Sequence, residues 1–260
     1  MKKILTKLIE LGILNNSVFN KLLLFFKLDN RFALYTGAYN YKNEHNPDGS
    51  KSLQEIAGYS ERPEIKELLD FIHAKLKSVV SDNLNKDDRI LDIGCGPGLF
   101  LQSIGTNYQL EGIDITPGMI ELAQKEIPEG KFYLGDFVSQ SFEGKFNFIF
   151  SVGTLMYIGR TDIKRFKIKI DRILETNGYV FISYPHAISK KDLGYPDLFY
   201  VQYSPEYLEE LFGTDYNVEY HARAVDEKTF KDFDHEPFIH PDNPAYKTYK
   251  NSSIIILSKK

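Results

Sequence analysis

The sequence predicts an α/β fold in which helices cover a doubly wound, mostly parallel sheet. Between residues 63 and 184, short apolar segments typical of buried strands alternate with segments of helical periodicity. One of these strands runs directly into a glycine-rich turn and a further helix. The chain has 260 residues, of which 42% are hydrophobic, and this is enough for one α/β domain with a sizeable core and additional segments.

Most predicted elements of the core are marked by local start and stop signals. Pro63 opens the first core helix, Pro97 suits a first helical turn, Asn177 and Gly178 are a helix stop signal, and Ser204 is an N-cap. The predicted helices are 64–77, 97–104, 117–126, 161–174 and 204–213, and the predicted strands are 89–93, 109–114, 131–135, 146–152, 178–184, 216–225 and 252–259.

The glycine-rich turn follows the first predicted strand and has the pattern D-x-G-x-G-x-G, from Asp92 to Gly98. Glycines at Gly94 and Gly96 let backbone N–H groups approach a ligand closely. A dinucleotide fingerprint would need a small residue where Leu99 stands, and no Walker lysine follows. The turn therefore predicts a ligand site without a pyrophosphate fingerprint.

Three further segments follow this turn at regular spacing. Asp114 ends the second strand 20 residues after Gly94, Asp136 follows the third strand, and the fourth strand, 146–152, is apolar on both faces. Together these segments resemble the class I S-adenosylmethionine-dependent methyltransferases, and the resemblance extends from about Leu68 to Ser183. It implies a Rossmann-like sheet of seven strands whose last strand is antiparallel and inserted between its two neighbours.

The resemblance also implies a cofactor, S-adenosylmethionine, and a set of residues that bind it. In the family, the acid matching Asp114 accepts the ribose hydroxyls, the acid matching Asp136 accepts the adenine amino group, and the carboxyl end of the fourth strand faces the methyl donor. The predicted cofactor-binding residues are Asp92, Gly94, Cys95, Gly96, Asp114, Ile115, Met119, Asp136, Phe137 and Ser151, with Tyr41 and Arg62 from the segment that precedes the core.

Two regions are predicted, 1–62 and 63–260. Residues 1–30 are predicted to form amphipathic helices that pack on the domain or on a second subunit in a homodimer, and a basic membrane-surface helix is the less favoured alternative. Residues 31–62 form a long tyrosine-rich segment that we interpret as a lid, with Tyr39 as a further candidate contact. The second region is the methyltransferase domain, with insertions near 186–203 and 226–250.

A general base that removes the hydroxyl proton would assist methyl transfer to an alcohol, because the pKa of an alcohol lies far above 7. Histidine suits that role near neutral pH. His186 is the first candidate because it follows the fifth strand at the ligand-binding edge of the sheet. Tyr157, in the loop after the fourth strand, is a predicted acceptor contact, and His235 and His240 are further candidates. The spacing of the acidic and histidine residues matches no strong metal-ligand pattern, so no metal is predicted.

Charge and composition limit the partners. A net charge of −4 and a pI near 5.9 disfavour a general nucleic-acid binder. The loop after the fourth strand also lacks the Asn/Asp-Pro-Pro-Tyr signature of enzymes that methylate nucleic-acid amino groups. Cys95 is the one cysteine, which fits a reducing compartment, and no apolar run reaches the roughly 18–20 residues of a membrane span. We therefore expect a cytoplasmic enzyme with a small-molecule substrate.

The favoured functional hypothesis is O-methylation of a small hydroxylated metabolite. By analogy within the family, the favoured acceptor class is a sugar or nucleotide-linked sugar used in surface polysaccharide or natural-product biosynthesis. Three alternatives stay open: N-methylation of a small amine, methylation of a lipid-linked acceptor by a membrane-recruited enzyme, and a catalytically inactive, cofactor-binding partner protein.

Overall fold

The computed structural model describes residues 51–57, 59, 63–159, 162–185, 203–223 and 252–260. Within these residues, seven strands form one sheet in the order β3-β2-β1-β4-β5-β7-β6. The strands are β1 (Arg89–Ile93), β2 (Gln109–Asp114), β3 (Lys131–Leu134), β4 (Phe146–Val152), β5 (Leu174–Pro185), β6 (Tyr216–Arg223) and β7 (Ser252–Lys259). The helices are α1 (Leu53–Ile56), α2 (Pro63–Asn83), α3 (Leu99–Ile104), α4 (Pro117–Glu126), α5 (Ile163–Ile173) and α6 (Pro205–Phe212), with a 3-10 turn at Leu155–Tyr157.

The pairing of the strands confirms the predicted sheet. Strands β1 to β5 pair in parallel, whereas β7 is antiparallel to both β5 and β6 and lies between them. The strand order reverses direction between β1 and β4, so this pair is the topological switch point at which open α/β sheets bind ligands. We call the side where β1, β2, β4 and β5 end the carboxyl edge, and the opposite side the amino edge.

Apolar side chains cover both faces of the sheet, as the central strands require. On one face, α2 and α3 pack over Ile90, Phe148 and Phe181. On the other face, α5 and α6 pack over Leu91, Ile149 and Ile182. Alternate residues of each strand point to opposite faces, so both faces of the sheet are packed against helices. The strands therefore position the side chains at the carboxyl edge.

The predicted helix stop at Asn177 and Gly178 is wrong. Helix α5 already ends at Ile173, and Leu174 begins β5 and pairs with Phe146. The register then shifts, so that Tyr179 pairs with Phe148. Asn177 has a φ of 64°, a left-handed conformation that asparagine tolerates better than most residues. The Asn-Gly pair is therefore a bulge inside a long strand rather than the end of a helix.

Other boundaries differ from the predictions by smaller amounts. Helix α3 begins at Leu99, after Gly98 with its φ of 84°, so Pro97 lies in the turn and not in the first helical turn. Helix α2 continues beyond the predicted end, Lys77, to Asn83, because Val79 and Val80 prolong its buried face. No helix in the described part of the chain is long and apolar enough to cross a membrane.

Candidate functional site

The carboxyl edge at the switch point collects the predicted cofactor residues from four strands. Gly94 follows β1, Asp114 ends β2, Asp136 follows β3, and Ser151 lies near the end of β4. Gly94 and Cys95 both donate their backbone N–H groups to the carbonyl oxygen of Ile113, at 2.8 and 3.1 Å, which joins the glycine turn to β2. The turn and the end of β2 therefore form one unit.

Gly94 needs to be glycine for two reasons. Its φ is +74°, and a Cβ built on it would lie 2.1 Å from Oγ1 and 2.8 Å from Cβ of Thr154. At Gly96, by contrast, φ is +52° and a Cβ would meet nothing within 4 Å. The turn is therefore packed against the loop after β4 on one side and has free space beside Gly96 on the other.

Asp114 holds the glycine turn through its carboxylate. One oxygen accepts the Gly96 backbone N–H at 3.0 Å, and the other accepts the Thr116 backbone N–H at 2.9 Å. Burial raises the pKa of Asp114, although these hydrogen bonds oppose the rise. The Thr116 side chain and the Ile115 backbone N–H also hydrogen-bond to this carboxylate, which is therefore an acceptor for several donors at once.

Asp92 lies beneath the turn and is only 2% exposed. Burial, and secondarily the negative charge of Asp114, raise the pKa of Asp92 well above its usual range. The pKa of the Cys95 thiol is also raised, chiefly by burial, so this cysteine is a small buried residue and not a reactive thiolate. The site thus holds two acidic groups whose pKa values burial raises, and a cationic or proton-donating ligand would favour their charged form.

The other predicted cofactor residues have varied surroundings. Asp136 is exposed and accepts hydrogen bonds from the N–H and hydroxyl of Ser139, at 3.0 and 2.7 Å. The Phe137 ring packs against Phe142 and Phe166, and the Ser151 hydroxyl donates to the Ile93 carbonyl at 3.1 Å. Ile115, directly after Asp114, is half-buried, and Met119 in α4 is buried.

Of the residues predicted to contact the methyl acceptor, the structure describes Tyr157 but not the histidines. Tyr157 is half-buried in the 3-10 turn after β4, and the next carbonyl, that of Ile158, accepts the Tyr203 hydroxyl at 2.6 Å. The candidate residues outside the described part of the chain are His186, Tyr39, Tyr41, Arg62, His235 and His240.

A hydrogen-bonded chain that the sequence did not predict lies where β5 and β6 approach the carboxyl edge. The Tyr184 hydroxyl and Nε2 of His221 are 2.6 Å apart, and Nδ1 of His221 is 2.7 Å from Glu209 of α6. Burial lowers the pKa of His221, while Glu209 and Glu206 oppose that shift. Because a carboxylate can only accept, Nδ1–H donates to Glu209, and in the neutral imidazole that the lowered pKa favours, Nε2 accepts the Tyr184 hydroxyl.

A second unpredicted residue, Tyr59, lies at the switch point itself. A Cβ built on Gly153 would be 3.1 Å from the Tyr59 hydroxyl oxygen, and the Tyr59 ring meets the Phe100 ring edge-on at 6.2 Å. The prediction of a tyrosine-rich segment near the site named Tyr39 and Tyr41 instead. No periodic pattern distinguishes Tyr59 from the other tyrosines of this segment, so local sequence could not identify it.

Comparison with known proteins places this fold in a class. Residues 90–178 match the family model described as a methyltransferase domain. The structure resembles magnesium protoporphyrin IX methyltransferase from Synechocystis PCC 6803, which was solved with bound SAM. The match covers 89% of this chain and 98% of that chain, with a TM-score of 0.57 and 14% sequence identity. A TehB-like SAM-dependent methyltransferase from Corynebacterium glutamicum gives a TM-score of 0.52 at 18% identity, over 85% of this chain and 99% of that one.

Sequence relatives match over shorter stretches. A malonyl-[acyl-carrier protein] O-methyltransferase from Priestia megaterium is 30% identical over 100 residues, which are 36% of each chain. Aklanonic acid methyltransferase DauC from a Streptomyces species is 50% identical over 46 residues, 16% of this chain and 21% of that one. The matches thus span well under half of these curated relatives. Together with the sheet order, the comparisons confirm the resemblance: residues 90–178 match a methyltransferase domain, and the sheet has the fold of the class I enzymes.

Proposed function

We propose that this protein is an S-adenosylmethionine-dependent methyltransferase that transfers the methyl group to an oxygen of a small metabolite. The observation that carries the proposal is the buried Asp92 and the half-buried Asp114 against a glycine turn at the switch point, with Asp114 hydrogen-bonded to the turn at Gly96. The cofactor supplies a methyl group made electrophilic by the sulfonium charge. The residues of the site fit it, because Asp114 can accept the ribose hydroxyls and the free space beside Gly96 admits a ligand next to the turn.

The chain itself would contribute positioning and proton removal. Orienting the donor against the acceptor can supply several kcal/mol of the barrier reduction, as intramolecular reactions show, so a rigid edge is a large part of catalysis. Asp136 is proposed to accept the adenine amino group, and Tyr157 to contact the acceptor. His186 is proposed as the base that takes the hydroxyl proton. The family model and the O-methyltransferase relatives support this reaction class.

The cofactor site is tested by titration calorimetry with S-adenosylmethionine and S-adenosylhomocysteine, with NAD as the negative control. We expect the first two to bind and NAD not to bind. Asp114→Asn should lower the affinity for both adenosyl ligands about tenfold or more, because a hydrogen bond to a charged group is lost. Asp82→Asn, an exposed aspartate on α2, is the matched control and should bind normally. Binding of NAD alone would show that the glycine turn has been misread.

The acceptor is tested by screening with radiolabelled methyl donor. A sugar or nucleotide-linked sugar is the first class, and carboxylate and amine acceptors are screened beside it. With an acceptor in hand, His186→Asn should remove the rise of kcat/KM between about pH 6 and 7 that a histidine base produces. Full turnover of His186→Asn at every pH would show that His186 is not the base. If only amines are methylated in the screen, the acceptor atom is nitrogen and not oxygen.

A further inference from the structure

Tyr59 reaches the switch point from a short segment before the core. The Ser52 side chain caps α1 (Leu53–Ile56), Glu55 returns a hydrogen bond to the Ser52 backbone, and Ile56 is buried. The Tyr59 backbone N–H then donates to the Gln54 carbonyl at 3.0 Å. These contacts fix the backbone of Tyr59 and direct its side chain toward the carboxyl edge.

The Tyr59 side chain connects the two sides of the switch point. Its ring meets Phe100 of α3, the helix that follows the glycine turn, at an interplanar angle of 82°. Its hydroxyl oxygen lies against Gly153, directly after β4, and that glycine has a φ of +68° and donates its N–H to Ser183. Because Gly153 has no side chain, the hydroxyl can stand at the very end of β4.

We infer that the Tyr59 hydroxyl oxygen contacts the sulfonium methyl group of S-adenosylmethionine and lets the protein distinguish this donor from S-adenosylhomocysteine. The inference rests on the proposed function, since the family resemblance puts the methyl donor at the end of β4. A methyl group on a sulfonium has polarised C–H bonds, and a hydroxyl oxygen accepts them as weak hydrogen bonds. The contact holds the methyl group in one orientation, which is what an in-line transfer requires.

The two ligands make the inference testable without knowledge of the acceptor. They share the adenosine and the amino-acid moiety, and they differ in the methyl group and its positive charge. A residue that contacts only the methyl group changes the affinity for the donor and leaves that for the product unchanged. A residue that shapes the pocket in general changes both affinities together.

The experiment is titration calorimetry of the full chain, wild type and Tyr59→Phe, with each ligand. Phenylalanine keeps the ring and its contact with Phe100, so only the hydroxyl is lost. We expect the Kd for S-adenosylmethionine to rise about two- to fivefold, as loss of one weak C–H···O bond predicts, and the Kd for S-adenosylhomocysteine to stay unchanged. Tyr108→Phe, which removes a hydroxyl beside β2 at the amino edge, is the matched control and should change neither Kd.

The outcomes separate the two proposals. If the wild-type chain binds neither ligand, the proposed function fails and the inference fails with it. If it binds both and Tyr59→Phe leaves the ratio of the two Kd values unchanged, the inference alone is overturned. A second measurement covers a variant that does not fold: in the wild type, the protons of a ¹³C-labelled donor methyl should shift downfield on binding, and an unshifted methyl would overturn the contact.

Discussion

The amino and carboxyl edges of this sheet treat buried acids in opposite ways. Near the amino edge, Glu111 is 5% exposed but accepts Nε of Arg89 at 3.0 Å and the Tyr133 hydroxyl at 2.7 Å. Arg89 also donates to the carbonyls of Glu143 and Lys145, and its guanidinium stacks over the Phe146 ring. At the carboxyl edge, Asp92 is also buried, and the charge that adds to the effect of burial on its pKa is that of another acid, Asp114.

The contrast teaches how stability and binding are divided between the two edges. A buried acid with a cationic partner and a hydroxyl donor holds strands together, since Glu111 joins β1, β2 and β3. A buried acid next to another acid costs stability, and such sites are typical of ligand-binding regions. We therefore expect mutations at the amino edge to affect folding and mutations at the carboxyl edge to affect cofactor binding.

The largest effect is expected for Glu111→Ala. The substitution leaves Arg89 without its carboxylate partner in a place where the guanidinium is mostly buried, and this should lower the free energy of unfolding by about 3 kcal/mol. Urea denaturation measures the loss, with exposed Glu121→Ala as the control. Cofactor affinity, measured well below the melting temperature, should be normal, and a large loss of affinity with little loss of stability would contradict the division.

The next effect is expected for Gly94→Ala. An alanine at this position would have to keep a positive φ, and its Cβ would collide with Thr154. We therefore expect the affinity for S-adenosylmethionine to fall about tenfold or more. Gly105→Ala separates the two causes, because Gly105 also has a positive φ, +91°, and a Cβ there meets nothing within 4 Å. If both variants bind the cofactor equally well, the packing of the turn against Thr154 does not matter for binding.

The smallest effect has the opposite sign. Asp92→Asn replaces a buried ionisable carboxyl whose pKa burial raises, so it should raise the free energy of unfolding of the ligand-free protein at neutral pH, while it weakens cofactor binding. Because the native pKa is raised, the native state holds the proton longer than the unfolded state does. The wild-type free energy of unfolding therefore falls as the pH rises from about 4 through the native pKa.

The pH dependence provides the control for this prediction. The gain from Asp92→Asn should be near zero below about pH 4 and should grow with pH to a plateau, whereas Asp82→Asn should show no such growth. Thermal melting from pH 4 to 8 measures both. A variant that is less stable than the wild type at pH 7 would mean that Asp92 stabilises the fold as Glu111 does.

Sequence patterns predicted what depends on local order. The strand–turn–helix at Gly94 and the acid at the end of β2 follow from spacing, the inserted last strand is what the family resemblance implies, and the sheet has all three. The patterns failed where distant residues decide the structure. Asn177 and Gly178 are a local stop signal, but pairing of Leu174 with β4 begins the strand before they are reached.

The same reasoning explains the site residues that were missed. Glu111 interacts with Arg89 and Tyr133, each 22 positions away, and His221 is 37 positions from Tyr184. Neither pairing has a periodic signature, because residues far apart in sequence meet only after the sheet has formed. No local pattern distinguishes Tyr59 either, because the backbone hydrogen bond to Gln54 of α1 helps to decide where its side chain lies.

The register of the last three strands has a consequence for how this enzyme class diversifies. Pro185 pairs with Ser252, and Arg223 pairs with Ser253, so both inserted segments attach to adjacent strand ends at the carboxyl edge. The Glu111 network lies on β1 to β3, away from these attachment points. We therefore expect exchange of either segment to leave the folding unit intact, which makes these adjacent strand ends natural attachment points for a different segment.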